Sequence, residues 1–233
     1  MRNMELTPFR NFGEFVDRVH TAGFLPGALD CEGAAFSVDD LCGDGVIWHT
    51  GDVDHDPWQY RIRVLSDTDD IAYGKFFSKK SGYITRDWMP RFIAVRRRAY
   101  SFDEMWQAGR MSRCAKKVYD LLRETPALAT HDIRSLGNFA GEKKSALESA
   151  LAELQMSMFI TVCGEAQKVS ADGEPYGWPG SIFCTVENFF ASVEEEAGGI
   201  DPVLAADEIA DNVREFAPNV SSRALKALIA QYR

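Results

Sequence analysis

Apolar residues recur at helical spacing along several stretches of this chain, and a cap or a breaker punctuates each one. Phe12, Phe15, Val16 and Val19 follow i, i+3, i+4, i+7, which predicts an amphipathic helix closing near Gly23. Residues 26–45, rich in Gly, Asp and Cys, read as loop. Val46-Ile47-Trp48 predicts a short strand, and residues 50–57 a turn. Trp58 to Leu65 fits strand or helix, and Pro57 at a first helical position favours helix. Ile71 to Phe77 reads as a strand and Ser81-Gly82 as a turn. Residues 88–95 read as helical behind Thr85 or Asp87 as a cap, with Pro90 tolerable only in the first turn. Ser101 and Glu104 form a capping box that should start a short helix running to Gly109.

The pattern is clearest beyond residue 112. Ala115, Val118, Tyr119 and Leu122 predict a helix ended by Pro126. Thr130 should cap a second helix through Ile133 and Leu136, closed at Gly137. Ala146, Leu147, Ala150, Leu151 and Leu154 predict a third. Strand-like runs follow at 158–163 and 181–185, separated by a segment loaded with Gly and Pro. Three short helices and a hairpin is the winged-helix order, whose third helix would enter a major groove. Asp201-Pro202 then starts a helix with Ile209, Val213 and Phe216 inward, and Ser221 or Ser222 caps a last one carrying Leu225, Leu228 and Ile229. The expected fold class is α+β: an aromatic-rich α+β region over 1–111, a winged helix-turn-helix domain over 112–186 and a helical tail over 187–233.

Composition adds limits. The 233 residues carry 26 basic and 35 acidic side chains, a net charge of −9. No run of 18 apolar residues exists, so no membrane span is expected. The N-terminus lacks the apolar core of a signal peptide. Five cysteines without CxxC spacing suggest free thiols and a cytoplasmic protein.

The charge is unevenly spread. Residues 28–70 hold eleven acids against two bases, residues 73–123 thirteen bases against four acids, and residues 186–233 nine acids against four bases. Thirteen of the 27 aromatics lie between Phe36 and Trp106. Basic and aromatic residues interleaved in this way can clamp nucleotides. They can equally build a core, with the basic block paired internally to the acids. The candidate nucleic-acid contacts are Lys75, Arg86, Arg91, Arg96, Arg97 and Arg98, with Lys143 and Lys144 at the start of the third helix. That helix should turn Ser145, Glu148, Ser149 and Ala152 outward.

Residues 49–56 combine two histidines with three carboxylates. Alternating Asp resembles the start of a calcium loop, but Pro57 stands where the sharp turn wants Gly and Arg63 where the loop wants Glu. No metal and no cofactor are expected. His49 or Asp56 would be the general base of an enzyme, with Trp48, Trp58 and Tyr60 as pocket walls. The alternative is a turn whose Asp side chains cap backbone amides. Nucleotide-hydrolase and serine-hydrolase signatures are absent.

Trp48-His49-Thr50-Gly51, Asp56-Pro57-Trp58-Gln59-Tyr60-Arg61, the 71–77 strand, Gly82-Tyr83-Ile84-Thr85, residues 92–97 and residues 150–156 together resemble the AlkZ-related bacterial proteins over roughly 45–190. The resemblance implies nucleic-acid-linked ancestry, because the namesake DNA glycosylases are built of winged helices and excise alkylated bases. Those enzymes use a Gln-x-Gln or Gln-x-Asp motif. Here Gln59, Gln107, Gln155, Gln167 and Gln231 all lack a Gln or Asp two positions on, so no catalytic residue carries over.

Three readings follow. The leading one is a DNA-associated winged-helix protein without glycosylase catalysis, relying on the basic stretch more than on the third helix. The second is an enzyme acting on a base or nucleoside through His49 or Asp56. The third is an interaction module that meets a protein partner through the acidic tail and the wing.

Overall fold

The computed structural model describes residues 6–28, 36–143, 145–170 and 172–230. The chain begins with α1 (Phe12–Ala22), β1 (Phe24–Pro26), α2 (Pro57–Asp67), β2 (Ile71–Phe77), β3 (Lys80–Thr85), α3 (Met89–Arg97) and α4 (Phe102–Gln107). It continues through α5 (Arg113–Glu124), β4 (Leu128–Ala129), α6 (Thr130–Leu136), α7 (Ala146–Met156), β5 (Ile160–Val169) and β6 (Pro175–Thr185). Four helices close it: α8 (Val186–Phe189), α9 (Val193–Gly198), α10 (Pro202–Phe216) and α11 (Ser222–Ile229). The α+β class expected from the pattern is the class observed.

The strands form one six-stranded antiparallel sheet in the order β1-β3-β2-β5-β6-β4. Its halves meet where Tyr73 of β2 pairs with Val162 of β5. The short β4 adds to β6 at Leu128↔Phe183 and Ala129↔Ile182. Two apolar clusters pack on this sheet. One gathers Phe9, Phe15, Phe24, Phe36, Tyr60 and Phe92 with Phe190, which follows α8, and with Val193, Ile209, Val213 and Leu228 from the closing helices. The other holds Phe102, Tyr119, Leu122, Leu147, Leu154 and Phe159. Leu65 and Tyr73 pack against both. Many of the clustered aromatics therefore build core.

Local signals explain the helix ends. Gly23 closes α1 at φ 76°. Asp56 caps α2 with Pro57 in its first turn. Both halves of the Ser101–Glu104 capping box form at α4.

Several expectations need correction. Val46-Ile47-Trp48 is not a strand, because it leads straight into the turn that caps α2. Ser81-Gly82 lies inside β3. The hairpin turn is Ser78-Lys79 instead, both at positive φ (50° and 68°). With Phe77 paired to Lys80, this is the two-residue primed turn that usually calls for Asn-Gly, so composition pointed elsewhere. Trp88 is the N-cap of α3 and makes no side-chain cap bond. Thr85 instead donates to the Gly23 carbonyl at 2.9 Å. Thr130 does not cap α6; its hydroxyl donates to Ser181 O at 2.9 Å, tying α6 to β6. Strands β5 and β6 reach Val169 and Pro175, far beyond 163 and 181.

Candidate nucleotide cleft and basic surface

The turn before α2 is built by carboxylates acting on amides. Asp52 accepts from Asp54 N at 2.8 Å and His55 N at 3.2 Å. Asp56, fully buried, accepts from Trp58 N at 2.8 Å and from His49 N and Gly51 N at 2.9 Å each. Burial pushes the Asp56 carboxyl up, but the amides of Gly51, Trp58 and His49 outweigh it and hold it below the usual carboxylate range. A carboxylate so enclosed is a structural cap. It does not fit the role of general base.

This turn aims the side chains that follow it. Trp58 and Arg61, three apart on α2, share one face, and the Arg61 guanidinium lies 3.8 Å from the Trp58 ring centroid. The Arg61 Nη2 is 4.0 Å from Glu165 on β5. Between α2, the loop after β1 and the β2–β3 hairpin opens a cleft of about 660 Å³. Trp48, Trp58, Tyr73 and Tyr83 give it aromatic walls, while Arg61, Lys79, Lys80 and Asp39 give it charge. Burial and the neighbouring Asp40 raise the Asp39 carboxyl, and Lys80 opposes them.

Trp48 and Trp58 both line this cleft. Tyr60 does not. It is fully buried against Phe9, Phe12 and Phe15, with its hydroxyl donated to Asp54 O at 2.6 Å. His49 is exposed beside the cleft, its ring 5.1 Å from that of Trp58. Arg61, Lys79, Lys80, Tyr73, Tyr83 and Asp39 complete the cleft, and sequence reasoning did not place them there. The i, i+3 spacing of Trp58 and Arg61 was the one signal available for any of them.

The candidate phosphate contacts divide sharply. Arg96 is 9% exposed and donates to the carbonyls of Phe76 (2.7 Å), Met156 (3.0 Å), Leu228 (2.9 Å) and Ile229 (3.2 Å). Arg97 is 4% exposed, bonds to Met158 O and pairs with Glu194 and Glu187. Neither can meet a phosphate, because both were drawn inside by groups that satisfy them. Arg86 pairs with Glu196 and Arg91 with Glu208, each at 2.5 Å. The acids Glu187, Glu194, Glu196 and Glu208 are therefore engaged with this chain's own arginines.

Lys75, Lys79, Lys80, Arg98 and Lys143 remain exposed, and among the described residues none forms an ion pair. Lys144 lies outside the described residues.

The α7 helix offers little surface. Leu147, Ala150, Leu151, Ala152, Leu154 and Gln155 are all buried. Ala152, expected outward, is covered because β2 packs on that side, and the Gln155 side chain accepts the Lys75 amide at 2.8 Å. Of the outward residues, Glu148 pairs with Arg134 at 2.8 Å.

Among the described residues no helix is long and apolar enough to cross a membrane. A family model described as AlkZ related matches residues 9–230. No curated protein and no solved structure matches the chain.

Proposed function

The chain belongs to the AlkZ-related family, and from that premise we propose that it is a DNA-associated winged-helix protein without glycosylase catalysis. The order α5, β4, α6, α7, β5, β6, with β4 paired to β6, supports a winged-helix unit over 112–186. Its α7 helix is a poor groove reader, since only the first turn faces outward and that turn carries Glu148.

The observation that carries the reading is the group Lys75, Lys79 and Lys80 on the β2–β3 hairpin. All three are exposed with no ion-pair partner among the described residues, and Lys79 and Lys80 line an aromatic cleft. Arginines equally rich in charge are neutralised nearby. Unpaired lysines on one hairpin suit phosphate contacts, whose affinity comes from counterion release. The structural duty of Asp56 and the absence of any Gln-x-Gln or Gln-x-Asp run support the non-catalytic half. A reducing, cytoplasmic setting suits Cys42, Cys114, Cys163 and Cys184, all free thiols.

Fluorescence anisotropy with labelled single-stranded and duplex DNA tests the proposal. Binding should weaken steeply with salt, and Lys75→Gln/Lys79→Gln/Lys80→Gln should flatten the log–log slope by about one for each lysine. Binding indifferent to salt, or a triple variant with an unchanged slope, would overturn it.

A further inference from the structure

Phosphate contacts on the hairpin leave the cleft beside it unexplained. The geometry points to a site for one unpaired nucleotide unit: a base against Trp48 and Trp58, with its phosphate on Lys79 and Lys80. This rests on the same surface as the proposed function and names what that surface would hold.

Size, charge and walls agree. About 660 Å³ lies within the roughly 300–1,000 Å³ typical of small-ligand clefts. Among the described lining residues Lys79 and Lys80 stand against one carboxylate, Asp39, while Arg61 is met by Glu165, so a positive excess is left for a phosphate. Arg61 already lies on Trp58 and close to Glu165. That leaves the lysines as the freer phosphate ligands. Lys79 sits in left-handed backbone where glycine would be unstrained, so the turn keeps a charged side chain at the cleft mouth despite that cost.

Among the described residues Asp39 is the one carboxylate in the lining, and it can accept N–H donors from a base edge. Guanine offers two adjacent donors on that edge, whereas uracil offers one. A base inside a duplex stack cannot enter such a cleft, so the ligand is a free mononucleotide or an unpaired nucleotide of a strand.

Tryptophan fluorescence of the full chain, titrated with GMP, UMP, guanosine and inorganic phosphate, decides the matter. GMP should give a saturable change. Guanosine should bind at least ten-fold more weakly, and phosphate alone should leave the signal unchanged. Lys79→Gln/Lys80→Gln, with an unaltered thermal midpoint, should bring GMP down to the guanosine level. Asp39→Asn should erase a preference for GMP over UMP.

Competition separates the two sources. Displacement of GMP by a duplex bearing one unpaired guanosine, and not by a fully paired duplex, identifies a strand nucleotide; displacement by neither identifies the free mononucleotide. No saturation at millimolar GMP, or equal affinity for GMP and guanosine, overturns the site. Equal affinity for GMP and UMP overturns the role of Asp39. Salt-sensitive DNA binding without a GMP response would sink this inference alone. A GMP response without DNA binding would sink only the proposed function.

Discussion

Asp56 shows how one side chain can look like chemistry in a sequence and be architecture in the fold. Its three amide partners make it the cap of α2 and the anchor of the 49–56 turn. Because those amides lower its pKa, the stability it contributes is fully present above the ordinary carboxylate range. That stability is lost as pH falls through the depressed folded value. Asp56→Ala should cost about 1–2 kcal/mol as a lost helix cap. In urea denaturation the variant's midpoint should fall less between pH 6 and pH 3 than the parent's, and an equal acid sensitivity would refute the assignment. The capping role was legible, since alternating Asp before Pro57 is turn chemistry. Tyr60 was not: its burial depends on Phe9, Phe12 and Phe15 converging from elsewhere in the chain. Nor was the division of the arginines, because local sequence does not show which carbonyl or carboxylate will face each one.

Elements with a one-sided apolar pattern were readable almost to the residue: α1, α5, α10 and α11 all run where the spacing put them. The outer hairpin was not, because strand periodicity reports burial rather than pairing. Beyond Gly164 and before Ser181 the paired strands have little to pack against, so no alternation marks them. Pro175 and Pro179 are tolerated since β4 reaches only Ile182 and Phe183, leaving the outer half of β6 as an edge. Trp178 stands 95% exposed there. Amide hydrogen exchange should therefore split each strand. The amides of 166–169 and 176–178 should exchange rapidly through local opening, and those of 160–162 and 183–185 only with global unfolding. Uniform protection along β5 and β6 would mean that the projecting half is covered in solution.

Across the whole molecule, the acidic closing helices complete the N-terminal core. Phe190, Val193, Ile209 and Leu228 lie in one cluster with Phe15, Phe24 and Phe92. The Arg86–Glu196 and Arg91–Glu208 pairs join the same regions from outside, though half-exposed pairs of this kind add little to stability. Arg96 is the stronger tie. From α3 it reaches β2 through Phe76 O, the end of α7 through Met156 O, and α11 through Leu228 O and Ile229 O. Burial pulls its pKa down to about 9, which still leaves it charged at neutral pH. Arg96→Met would strand several of these carbonyls and should cost on the order of 3 kcal/mol. With β2 joined to β5 in one sheet and Leu65 and Tyr73 packed on both clusters, that loss should spread through the molecule. Tryptophan fluorescence and far-UV circular dichroism should then move together to a lower denaturant midpoint in the variant, as one cooperative transition. Two separated transitions would instead show the closing helices detaching first, with Arg96 as a local latch between units that unfold independently.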